Sequence, residues 1–141
     1  MSKSNACETA LLQLLFNATT FAEMAENDTT SPSANLTVAL HTGDPGEAGN
    51  QSTSETTYTG YSRVNVARTS GGWTVSGNSV SPVANIDFGE CSASPGGAIT
   101  HFSVGTGTGN VMLYSGTVTP NVTMAVGVLP RLKTTSTITE D

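Results

Sequence analysis

The chain has 141 residues, the size of one domain, and only 11% of them are charged, so the polar surface is left to Ser, Thr, Asn and Gly. Five Lys and Arg against eleven Asp and Glu give a net charge of -6, which removes the phosphate-neutralising term behind most nucleic-acid binding. No apolar run approaches the ~20 residues of a membrane span, so neither nucleic acid nor membrane is an expected partner and a soluble, β-rich protein is.

The first element is a helix over Asn5–Phe16. Asn5 is read as its cap, with Glu8 three residues on closing a capping box and favouring the positive helix end. Leu11, Leu14, Leu15 and Ala18 recur at helical spacing, with Leu12 and Phe16 widening the stripe. Such a stripe needs a partner surface, either the chain's own body or a neighbouring subunit. Glu8 and a single early Lys do not make a secretory leader, so none is expected. Phe21 to Ala25 adds a loose turn, and Glu26 to Asn35 reads as a polar linker.

The clearest strand follows, Leu36 to His41, with Val38 and Leu40 alternating against Thr37, Ala39 and His41, the pattern of a half-buried strand. Gly43, Asp44, Pro45, Gly46 and Gly49 then force a reversal. Tyr58 to Arg68 is a second strand by alternation. Trp73–Val75 and Asn78–Ser81 make a hairpin closed through Ser76 and Gly77. Further strands are expected over Asn85–Phe88, Ile99–Thr106, Val111–Thr119 and Arg131–Thr139, with a loop over Glu90–Gly97. Seven or eight short strands after one helix predict a mainly β fold: an antiparallel β-sandwich or jelly-roll-like domain with an N-terminal α-helix. The division is residues 1–35 as helix and linker, and 36–141 as β-sandwich domain.

Reactive groups are sparse. His41 and His101 lie in different strands with no metal-ligand spacing, and a strand histidine hydrogen-bonded at the sheet surface is the expectation for each. Asp44 and Glu47 flank a Pro-Gly turn without a calcium-loop ladder and are read as turn formers. Gly105–Gly109 lacks the lysine and helix of a phosphate loop and is read as a hairpin connection. No G-x-S-x-G elbow is present. Cys7 and Cys91 are read as unpaired thiols. The five Asn-x-Ser/Thr sequons imply no glycan without a secretory signal. Trp73, Tyr58, Tyr61 and Tyr114 would form a sugar platform only if exposed in a row, and packing is the preferred reading. No catalytic residue, cofactor or metal is assigned.

With these residues laid out, the chain resembles a family of small tailed-bacteriophage virion proteins described as head decoration (cement) or minor structural proteins. The resemblance rests on the apolar helix ending Leu11 to Phe16, LTVALHTGDPGEAG (Leu36 to Gly49), TYTGYSRVNVAR (Thr57 to Arg68), THFSVGTG (Thr100 to Gly107), LYSGTVT (Leu113 to Thr119) and the terminal TITED. It implies a non-enzymatic virion protein made in the host cytoplasm. The leading expectation is a capsid decoration protein on the outer head surface, binding the major capsid protein and itself, as a trimer. Leu11, Leu14, Leu15, Phe16 and Phe21 are its candidate interface residues. The alternatives are a tail adaptor or fibre-attachment component, and a carbohydrate-binding β-module for host attachment.

Overall fold

The computed structural model describes residues 2–17, 19–25 and 33–140, the Leu15 side chain excepted. The elements are β1 (Ser2–Lys3), α1 (Asn5–Asn17), β2 (Asn35–His41), β3 (Val64–Ala67), β4 (Trp73–Ser76), β5 (Ser79–Pro82), β6 (Ile86–Asp87), β7 (Ile99–Thr106), β8 (Met112–Val122), β9 (Arg131–Leu132) and β10 (Ile138–Thr139). They form a five-stranded sheet in the order β1-β8-β7-β2-β3, a three-stranded sheet β10-β5-β4 and a β6-β9 pair. Every pairing is antiparallel. The protein is a β-sandwich with one N-terminal helix, as the spacing of short apolar segments predicts.

Alternation decides which side chains meet. Val38 and Leu40 of β2 stand opposite Val104 and Phe102 of β7, and Val38 opposite Val64 of β3. These join Tyr58, Ile86, Phe88, Cys91, Ile99, Leu132 and Ile138 in one buried cluster between the sheets. Tyr58 enters the core because its hydroxyl finds acceptors there, the carbonyls of Phe88 (2.9 Å) and Gly89 (3.0 Å). Burial pushes this phenol up to about 12.

The opposite face of the large sheet is covered too, which corrects the half-buried reading of β2. Thr37, Ala39 and His41 are buried along with Val38 and Leu40. Residues 43–56 fold back across them. The return is antiparallel, with His41 bridged to Glu55, Thr42 N–H donating to Ser54 O, and Thr56 N–H to Leu40 O. From this strap Gln51 donates through Nε2 to Thr37 O (2.8 Å) and Ser103 Oγ (3.3 Å). Its amide lies so close to β7 that a Cβ on Gly105 would sit 2.4 Å from the Gln51 side chain, so only glycine fits there.

Other boundaries moved for identifiable reasons. Tyr58 to Arg68 is a strand only from Val64, because Gly60 adopts a φ of 105° and Tyr61 N–H closes a turn onto Tyr58 O. The last strand divides into β9 and β10 around a turn in which Ser136 N–H donates to Lys133 O. The hairpin β4–β5 reverses through Gly77 and Asn78, one residue later than expected, with Gly77 at φ 60°. The strand β1 had no sequence signal. Cys7 and Cys91 are buried free thiols. The linker expected over Glu26–Asn35 falls mostly outside the described residues.

The helix cap is also corrected, from Asn5 to Ser4. Ser4 Oγ accepts from Cys7 N–H (3.2 Å) and donates to Met112 O, while Ser4 O accepts from Glu8 N–H. Its hydroxyl therefore serves both the first turn of α1 and β8, and Ser4 is 1% exposed. Ser4→Ala should lower stability by about 1–2 kcal/mol, measured as a reduced urea midpoint, with Asn5→Ala close to wild type.

Candidate interaction surface

The hairpin β4–β5 carries Trp73 opposite Pro82 and Val75 opposite Val80, with Ile138 of β10 opposite Val80 on the other side. Trp73, Val80 and Ile138 turn toward the five-stranded sheet, where Leu36, Val104 and Tyr114 face them. The two layers do not close at this end, and an apolar groove of about 600 Å³ remains between them. It continues past Tyr114 and Val75 into a second hollow bounded by Asn78 and Glu140. Its lip is Val75, 74% exposed on β4, an edge strand. Trp73 Nε1–H is buried with no acceptor among the described residues.

Charge is confined to the groove's ends. Arg68 stands at one, its Nη1 donating to Met24 O at 3.0 Å. At the other, Glu140 accepts from Lys3 and from the Tyr114 hydroxyl (2.9 Å). The Lys3 hydrogen bond, then that of Tyr114, holds the Glu140 carboxyl below the usual carboxylate range. Burial, with the neighbouring Glu140, raises the Tyr114 phenol.

The helix α1 supplies a second apolar feature. Cys7 is buried and Ala10, Leu11 and Leu14 half-buried, so one face is turned from solvent where the helix packs along β8. Leu12 and Phe16 are 57% and 78% exposed. With Glu8 they lie at i, i+4 and i+8, a single ridge. Among the candidate interface residues, Leu11 and Leu14 thus lie on the inward face and Phe16 on the outward one. Phe21 is half-buried in a tight turn bridged to Ala25, and the Leu15 side chain lies outside the described residues. The groove residues were not singled out from sequence as a group; an apolar Val75 near a hairpin tip is the one local signal they leave.

The remaining polar candidates are engaged in structure. His41 and His101 are cross-strand neighbours, but His41 is fully buried, not at the sheet surface, because the strap covers it. Its Nδ1 lies 2.8 Å from Thr53 O and its Nε2 2.8 Å from Ser103 Oγ. A carbonyl only accepts, so Nδ1–H donates, and in the neutral ring that burial favours Nε2 accepts from the Ser103 hydroxyl. His101 Nδ1 pairs with Thr100 Oγ1. Asp44 Oδ1 accepts from Gly46 N–H at 2.8 Å, an Asx turn. No cluster of three or more His, Cys, Asp or Glu able to hold a metal occurs among the described residues. Tyr61 is not part of an exposed row with Trp73: it stacks on Phe88 at 6.4 Å and its hydroxyl is tied to Leu40 N–H and Glu55.

Burial holds the His41 pKa below its ordinary 6.5, the Thr53 carbonyl offsetting only part of that. Below pH 6.5 the unfolded chain takes up a proton that the folded chain refuses. Stability is therefore complete above that pH and falls as pH drops toward the folded value. The unfolding free energy from urea melts should decline as pH falls below about 6.5, by up to about 1.4 kcal/mol per pH unit. A His41→Gln variant should show a flatter profile.

A family model described as podophage GP4 fiber I protein gp80 matches residues 2–139. The chain belongs to that family. No curated protein matches the sequence. Membership of the gp80 fibre family makes the chain a phage virion structural protein, as the resemblance implied, without specifying head decoration. No helix among the described residues is long and apolar enough to cross a membrane. The gp80 match takes in α1, both sheets and every residue of the groove except Glu140.

Proposed function

We propose that this chain is a non-catalytic component of a phage fibre assembly, attached to its neighbours through protein–protein contacts at the apolar groove and the exposed ridge of α1. The family match over residues 2–139 carries the reading, because it covers the helix and the β body together. The groove supports it: an apolar cleft with charged groups only at its ends is suited to anchoring another protein's side chains. Exposed apolar residues on a three-turn helix serve the same purpose. Such a protein acts mechanically, holding partners in register.

Gold labelling of intact particles with an antibody to this chain tests the proposal. Label confined to the tail and its appendages is the expected result. Label spread evenly over the head would overturn it in favour of capsid decoration.

A further inference from the structure

We propose that the groove of one copy receives the Glu8–Leu12–Phe16 ridge of a second copy, so that the chain assembles head to tail through two different patches. The ridge and groove are matched in chemistry. Leu12 and Phe16 stand about 6 Å apart along one helix face, both largely exposed, and the groove is walled by Trp73, Val75, Val80, Tyr114 and Ile138. They are matched in charge as well. Glu8 is exposed one turn before Leu12, and Arg68 at the groove end has no carboxylate partner among the described residues. Gln13 and Asn17, exposed beside the ridge, bring amide oxygens of the kind that Trp73 Nε1–H lacks.

The occupant has to come from another molecule. Ser2 and Lys3 are laddered to Ser115 and Tyr114, Ser4 is bonded to β8, and Asn5 N–H donates to Glu47 O of the strap on the outer face. These bonds tie the start of α1 to β8 and the strap, and Leu12 and Phe16, 57% and 78% exposed, do not fill the groove of their own chain. A contact between unlike patches is heterologous, and repeats around a ring when its rotation closes. This inference rests on the fibre reading's assignment of the same two patches to neighbour contacts and names the neighbour. Self-association is read in solution and position on the particle by labelling, so the failure of one is distinguishable from the failure of the other.

Sedimentation velocity on the full chain over a concentration series provides the test. Wild type should self-associate, and Phe16→Glu and Val75→Glu should each weaken association at least about tenfold. Both positions are exposed, so circular dichroism should be unchanged. The deciding measurement mixes the two variants: Phe16→Glu keeps an intact groove and Val75→Glu an intact ridge, so together they should form a one-to-one complex that neither forms alone. Glu8→Arg should weaken association and Glu8→Arg with Arg68→Glu restore it. A monomeric wild type, variants that associate like wild type, or a mixture that fails to complement would overturn the proposal.

Discussion

Phe88→Ala should destabilise the protein by about 3–5 kcal/mol and lower Tm by on the order of 10 °C. Phe88 is 1% exposed and belongs to the cluster between the sheets. Its ring stacks on Tyr61 at 6.4 Å and 17°, Tyr61 in turn lies 5.4 Å from Tyr58, and the Phe88 carbonyl accepts from the Tyr58 hydroxyl. Removing the ring leaves a cavity bordered by aromatic side chains that cannot collapse without giving up their own hydrogen bonds. The same truncation at Phe16, 78% exposed, should stay within about 0.5 kcal/mol of wild type. Thermal denaturation of both variants checks the contrast, and equal losses would mean that Phe16 is packed in solution.

Arg63→Ala should cost about 2–3 kcal/mol, whereas Arg131→Ala should leave the urea midpoint close to that of wild type. Both arginines make two-pronged carboxylate pairs, but Arg63 and Glu55 are only 22% and 19% exposed against 43% and 42% for Arg131 and Asp87. Arg63 also donates to Ser52 Oγ and Gly109 O, so it fastens the strap to the β7–β8 turn. Without it the Glu55 carboxylate keeps only the Tyr61 hydroxyl as a side-chain partner among the described residues. Burial alone would raise the Glu55 pKa, yet the Arg63 and Tyr61 hydrogen bonds more than offset this and hold it below 4.5. Its contribution is thus complete above the unfolded value near 4.5 and is lost as pH falls through the lower folded value. A double-mutant cycle of Arg63→Ala with Glu55→Gln should give a coupling of about 1–3 kcal/mol. A coupling near zero would show that the pair does not hold the strap.

Local pattern was enough for the elements that local pattern builds. Phe102 and Val104 alternate with polar or small neighbours and Ile99–Thr106 is a strand over those residues, and the apolar spacing after Asn5 is a helix. Where a distant segment decides the environment, the sequence misleads. Thr37, Ala39 and His41 look like a solvent face because they are small or polar, and they are buried because a Gly- and Pro-bearing strap returns over them. Tyr58 and Tyr61 alternate as strand residues do, yet Gly60 turns the chain there. The groove draws on β2, β4, β5, β7, β8 and β10, and no linear window contains it. The ridge was half legible: Phe16 was singled out, but the helical stripe did not indicate which of its leucines would face inward.

The two short ladders near the ends of the chain bear on how this body would carry tension. Ser2 and Lys3 hold to β8 through two residue pairs, and Ile138 and Thr139 to β5 through two more, whereas β7 is laced to β2 over six. A pull entering through either end would peel these strips pair by pair and spare the central ladders. A load received sideways, across the cleft and the helix, would instead be shared by the whole sandwich.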